Sequence, residues 1–154
     1  MSTDHQIEAE IQAKGKTYPR ITPEIIEENI VSEVFFTGKE ILDGLDEGGP
    51  SEIQAAGKNV YQATDTLNRL TFCVLVLRNG FTVTGESACV SPNNFDAEIG
   101  RKVARDNAVQ KLWPLMGYSL METLSVLDEI GWTEQDEQEL AGKSAQSIAH
   151  YRLP

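Results

Sequence analysis

Leu70–Val90, LTFCVLVLRNGFTVTGESACV, decides the fold. Its first half is rich in branched and aromatic residues, and Asn79-Gly80 follows as a turn dipeptide before a second extended stretch. This predicts an antiparallel hairpin. A two-residue type I′ turn needs positive φ at both central positions and favours Asn-Gly, which sets Arg78 opposite Phe81, Cys73 opposite Glu86 and Cys89 opposite Leu70. In that register the two sulfurs lie too far apart on the ladder to bond. Two unpaired thiols fit a reducing compartment. Apolar side chains on both faces of the first strand call for cover on each side: the following helix on one, a second subunit on the other. The returning strand is less ordinary, because Gly85, Glu86 and Ser87 stand where a structural strand carries branched apolar residues. A strand without bulk there lets a ligand or a partner's backbone come close.

Downstream, Ser91-Pro92-Asn93-Asn94 ends the strand, and either asparagine can cap a helix over about 94–113 whose first turn carries Asp96 and Glu98. At 100° per residue, Phe95, Val103 and Trp113 gather within about 40° of Ile99, while Arg101, Arg105, Ala108 and Leu112 form a second stripe at about 180–240°. The arginines on such a stripe are half sheltered. Pro114 and Gly117 are expected to end this helix, with SLMETLSVLDEI forming another that turns Leu120, Leu124 and Leu127 inward and closes at Gly131. Thr133 and Asp136 resemble a capping box for a last acidic helix.

Upstream, Thr22 caps a helix that starts at Pro23 and has Glu24 in its first turn, with Ile25, Ile26, Ile30 and Val31 as its apolar face. EVFFTG reads as a short strand. Residues 43–58, with four glycines and a proline, read as a loop. Residues 1–20 are polar and predict a flexible N-terminal arm, so that 21–154 form a single domain. The fold class is α+β: a small antiparallel sheet, its hairpin at about 70–90, covered by the helix at about 94–113, with further N- and C-terminal helices.

The chain has 154 residues, 40% of them hydrophobic, enough for one ordinary domain. No apolar run approaches the roughly 20 residues of a membrane span. The N-terminus has no basic patch leading into an apolar stretch, so the expected location is the cytoplasm. A formal charge of −11 disfavours general nucleic-acid binding, which depends on many cationic contacts to phosphate. Acidic residues concentrate in TPEIIEEN, LDGLDEGG and LDEIGWTEQDEQEL; these are solvated faces, or a lure for a basic host protein.

No catalytic set assembles. His5 and His150 lie near the termini, where neither makes a well-held base or metal ligand. Cys73 and Cys89 read as small hydrophobes of the sheet. The glycine-rich phosphate-cradling motifs are absent. The expectation is a protein that is not an enzyme and uses no metal or cofactor. What remains is a binding constellation. Arg101 and Arg105, four apart, make a double fork for phosphate oxygens, or else they are salt-bridged to Glu98 or Asp106. Phe81 offers a ring for base stacking, or fills the core. Asn93 or Asn94 contributes an amide to a base edge or ribose, or caps the helix. Glu86 bonds a ribose hydroxyl or faces water, and Ser87 flanks the bare strand.

The segment Leu70–Tyr118, with NGF, GESACV, NFDAEIG and KLWPLMGY, resembles the signature of a family of small tailed-phage proteins. The same pattern is similar to the phage anti-Thoeris sponges, which bind cyclic ADP-ribose signals made by bacterial TIR proteins. That resemblance implies β-sheet cores decorated by helices and a nucleotide bound uncleaved between subunits, in some members with cyclic oligonucleotides at separate sites. Carried over by position, it implies Phe81 under the adenine, Asn94 or Asn93 on a polar edge, and Arg101 and Arg105 on the diphosphate. The glycine-rich insertion and the acidic C-terminal segment lie outside the pattern. The expected function is a phage or prophage counter-defence protein of the host cytoplasm. It would sequester a cyclic ADP-ribose-type or cyclic oligonucleotide signal as a homo-oligomer, at least a dimer. The rival expectation is an acidic interaction protein that inhibits a host protein or a nucleic-acid-binding protein.

Overall fold

The computed structural model describes residues 3–16, 18–46 and 66–131, together with Thr133 and Asp136. The chain divides into two compact units, one of residues 30–111 and one of residues 1–29 with 112–154. The elements are α1 (Thr3–Ala13), α2 (Pro23–Asn29), β1 (Ile30–Thr37), α3 (Gly38–Asp46), β2 (Leu70–Leu77), β3 (Thr82–Ala88), a short 3-10 turn (Pro92–Asn94) and α4 (Ala97–Glu129). The fold is α+β.

In the unit of residues 30–111, the strands form one antiparallel sheet in the order β1-β2-β3. The EVFFTG strand extends back to Ile30, so Ile30 and Val31 belong to β1 and not to the apolar face of α2. Val31 is exposed there. The hairpin is present, but its turn is one residue longer than Asn-Gly alone predicts. Leu77 N–H donates to Phe81 O at 2.8 Å and Gly80 N–H donates to Leu77 O at 2.8 Å, so the loop is Arg78-Asn79-Gly80. Gly80 has φ of 83° and no non-glycine residue has positive φ, whereas a type I′ turn would require it at Asn79 as well. Asn79 instead accepts the Phe81 N–H on its own side-chain oxygen at 3.0 Å. Cys73 therefore pairs with Gly85 and not Glu86, Leu70 pairs with Ala88 and not Cys89, and Leu77 takes the place expected for Arg78. Both thiols are free, as the sequence predicts.

A slip of one residue decides which side chains share a face. Thr71, Cys73, Leu75 and Leu77 alternate into the buried side of β2. Their partners Phe35 and Glu33 on β1, and Gly85 and Val83 on β3, lie on the same side. The other face carries Phe72, Val74 and Val76 between Val34 and Phe36 on one side and Thr82, Thr84 and Glu86 on the other. Phe36 and Phe72 stack there with centroids 5.3 Å apart.

Helix α4 covers the first face, and it does so with its smallest residues. Gly100, Ala104 and Ala108 are buried one turn apart. A β-carbon on Gly85 would lie 2.1 Å from Ala104 O and 2.4 Å from Ala108 N. One on Gly100 would lie 2.9 Å from the Thr71 hydroxyl. Helix and strand backbones touch, which only glycine at 85 permits. Of the two stripes, Ile99 and Val103 are exposed, and the one containing Ala108 faces the sheet. The side chains flanking that stripe bond the two outer strands. Arg105 reaches Glu33 of β1, while Asn107 Nδ2 donates to Glu86 O at 2.8 Å and Lys111 Nζ to Thr84 O at 2.7 Å on β3.

Helix α4 also runs on through Pro114 and Gly117 to Glu129, where the sequence predicts a break. A proline removes one N–H and crowds the carbonyl a turn earlier, a cost of about 3 kcal/mol. Good helix formers on both sides and the buried Leu112 and Leu127 outweigh that loss. Gly131, with φ of 78°, closes the helix as expected. Thr37 and Glu40 form a capping box for α3, Thr37 N–H donating to Glu40 at 2.6 Å and Glu40 N–H to Thr37 Oγ1 at 3.2 Å. The expected loop at 43–58 therefore starts inside α3, and its residues 47–58 lie outside those described. The expected Thr133 and Asp136 box also forms, with Thr133 N–H on Asp136 at 3.0 Å; the acidic segment beyond it lies outside the described residues.

In the other unit, Thr22 caps α2, accepting the Ile25 N–H on its hydroxyl at 3.4 Å, and Ile26 is fully buried. Asn29 donates to the Met116 sulfur of α4 at 3.6 Å. The segment expected as a polar arm is helical over Thr3–Ala13.

Candidate functional site

Phe81 emerges from the tight turn with more than half of its surface in solvent. The Gly80 conformation and the Asn79 side chain set its backbone, so the ring is held out at the hairpin tip and does not fill a core. Arg78, next to it, is also exposed.

The opposite end of the hairpin carries the polar candidates. Arg69 donates to Cys89 O at 3.4 Å and also bonds Val90 O, fixing the exit of β3. The chain then turns tightly, with Asn94 N–H on Ser91 O at 3.1 Å. Asn93 and Asn94 are both exposed, and neither caps α4. That role belongs to Asp96, whose Oδ1 accepts the Glu98 N–H at 2.8 Å and the Ile99 N–H at 2.9 Å. The helix starts later than the asparagines suggested because Asp96 accepts two of its first N–H groups, and a carboxylate suits the positive helix end. Arg101, just inside α4 and next to the Gly100 that rests on Thr71, is exposed.

Arg105 is differently placed. Its Nε lies 2.8 Å and its terminal nitrogen 2.7 Å from Glu33 Oε1, with both side chains about one quarter to one third exposed. Neither Glu98 nor Asp106 takes that part; Glu98 pairs with Lys102 at 2.9 Å. The partner from β1 was hidden from the sequence because it comes from 72 residues away. Cys73 lies under this pair. Burial pushes its thiol pKa up, Glu33 adds to that and Arg105 opposes it, which makes Cys73 a packed group and a poor nucleophile.

Glu86 is exposed, and its carbonyl is bonded by Asn107. Ser87 is half-buried beside it. The approach that Gly85 permits is filled by α4 of the same chain, so this strand leaves no opening for a ligand at that point.

These positions fall into two groups. Six residue steps separate Phe81 from Ser87, about 20 Å at 3.3 Å per residue. Thr71, opposite Ser87, marks the end where Gly100 and hence Arg101 sit. One chain thus presents an aromatic ring at one end of the hairpin and an amide and guanidinium group at the other. Asn107 and Lys111 were not singled out by sequence reasoning, although their spacing of four, next to a small-residue stripe, was the available signal. Among the described residues, no cluster of three His, Cys, Asp or Glu could hold a metal ion, and no helix is long and apolar enough to cross a membrane.

No curated protein and no solved structure matches this chain. A family model does, over residues 21–124, a stretch that takes in all three strands, both ends of the hairpin and the part of α4 that carries the arginines. With well over half of its length matched, the chain belongs to the Phage protein (N4 Gp49/phage Sf6 gene 66) family.

Proposed function

We propose that this phage-family protein sequesters a cyclic ADP-ribose-type or cyclic oligonucleotide immune signal without cleaving it, at a site shared between copies of the chain. The exposed ring of Phe81 carries the reading. A phenylalanine is ordinarily buried; one held out on a rigid turn provides a stacking surface for a base. The exposed amides of Asn93 and Asn94 and the exposed guanidinium of Arg101 supply the polar and phosphate contacts the same ligand needs. Because these groups lie at opposite ends of the hairpin layer, a small nucleotide meets both only when a second copy brings its turn to the first copy's Asn94 corner. Arg105, one turn further along α4 and held by Glu33, is the second guanidinium of this reading.

Thermal unfolding with cyclic ADP-ribose isomers and cyclic di- and trinucleotides tests this. A ligand at 100 times its dissociation constant adds about 2.7 kcal/mol. The expected result is a raised midpoint with one nucleotide, abolished in Phe81→Ala and in Arg101→Ala, both of which alter exposed side chains and should leave the unliganded midpoint unchanged. A folded protein that no nucleotide stabilises would overturn the reading and favour a host protein as target. Recovery of a cleaved product would instead reveal an enzyme.

A further inference from the structure

Helix α1 is anchored in a way that is independent of that function. Most short helices dock through an apolar stripe, but in α1 Ile7 is 51% exposed, Ala9 and Ala13 are exposed and Ile11 is half-buried. The only buried side chain is a carboxylate, Glu8, at 5% exposure. Its two oxygens accept three N–H groups. Arg20 donates to Oε1 at 2.5 Å and to Oε2 at 3.3 Å, and Gln12 donates to Oε1 at 2.8 Å. A second contact, His5 Nδ1 to Glu24 Oε1 at 3.4 Å, is exposed and adds little.

We propose that α1 is a latched strap: the Glu8–Arg20 ion pair holds it in its docked position, and breaking that pair releases the helix as a unit while the sheet and its covering helix stay folded. Three physical facts combine here. An isolated helix of 11 residues is marginal in water. Burying a carboxylate is unfavourable unless it is paired and hydrogen-bonded, so without Arg20 the side chain returns to solvent. Glu8 is the one residue of α1 that is buried, so its departure removes the best-buried attachment of the helix. A binding partner that competes for either member of the pair would then free residues 3–13 without unfolding the rest.

Amide hydrogen exchange on the full chain, followed by mass spectrometry of its fragments, tests the latch in the natural sequence and in Arg20→Met and Glu8→Ala. The natural protein should show protected α1 amides. Each variant should lose that protection by about tenfold or more, with β2, β3 and residues 97–111 of α4 unchanged. Unprotected α1 amides in the natural protein would overturn the proposal, as would unchanged protection in either variant. Loss that spreads to β2 and β3 would also overturn it, since the pair would then support the fold itself.

Discussion

Residues 97–111 of α4 and the whole of α1 are helices of similar length held by opposite means. The first rests on its sheet through Gly100, Ala104 and Ala108, where backbone meets backbone at Gly85 and no charge takes part in the central contact. The second has a single buried side chain, a carboxylate paired with a guanidinium. Close packing of small groups gains many weak dispersion contacts that fail together. An ion pair is a single contact that fails when either member is lost. The first arrangement makes a permanent layer, and the second makes an attachment that can be undone.

The largest expected effect breaks the first arrangement. Gly85→Ala adds a β-carbon where Ala104 O would lie 2.1 Å away and Ala108 N 2.4 Å away, so α4 must lift off the sheet. Both obstacles are backbone atoms, and no side chain can rotate aside. A loss of about 3 kcal/mol or more is expected, equivalent to roughly 6–12 °C in midpoint for a chain of this size. Circular dichroism melting measures it. A variant as stable as the natural chain would mean that helix and strand stand further apart than described.

The second arrangement responds to pH. Hydrogen bonds from Arg20 hold the Glu8 carboxyl below the usual glutamate range, against the opposing effect of burial, and Gln12 adds to the lowering. A depressed folded pKa contributes stability that is present above the unfolded value of about 4.3 and is lost as pH falls through the folded value. Glu24 is lowered as well, chiefly by its own backbone N–H, so the His5 contact weakens in the same direction on acidification below that value. Protection of α1 amides should therefore fall below about pH 4, ahead of protection in β2 and β3. If all three fell together, the two helices would not differ in what holds them.

The difference between these helices also explains what the sequence could reveal. The hairpin, the caps at Thr22 and Gly131 and the covering helix depend on neighbours in the chain, and local patterns identify them. The register did not follow from Asn79-Gly80, because a three-residue loop with glycine in the left-handed position uses the same dipeptide. Which stripe of α4 meets the sheet was also left open. Hydrophobicity marked Ile99 and Val103, whereas the contact selects for small size, and Gly85 on the strand was the matching signal. The Glu8–Arg20 pair left no sign in an apolar count, so α1 looked like an unanchored arm. At the candidate site, residue types were legible but their separation along the hairpin was not, since only the ladder assigns Phe81 to one end and Arg101 to the other.

The smallest effect concerns the start of α4, where packing and site meet. Asp96→Ala removes the acceptor of the Glu98 and Ile99 N–H groups. The expected loss is about 1 kcal/mol, or roughly 2–4 °C in the melting midpoint, and Asp96→Asn should recover most of it because an amide oxygen caps nearly as well. The loss extends to the sheet, because Gly100 belongs to the turn that frays and lies against Thr71. The measurement also bears on Asn93 and Asn94. If Asp96→Ala shows its full loss, neither asparagine can take over the cap, and their exposed amides remain available to a nucleotide. A loss near zero would mean that one of them moves into the cap, which would return the asparagines to a structural role and leave Phe81 and Arg101 as the only side chains with a ligand to explain.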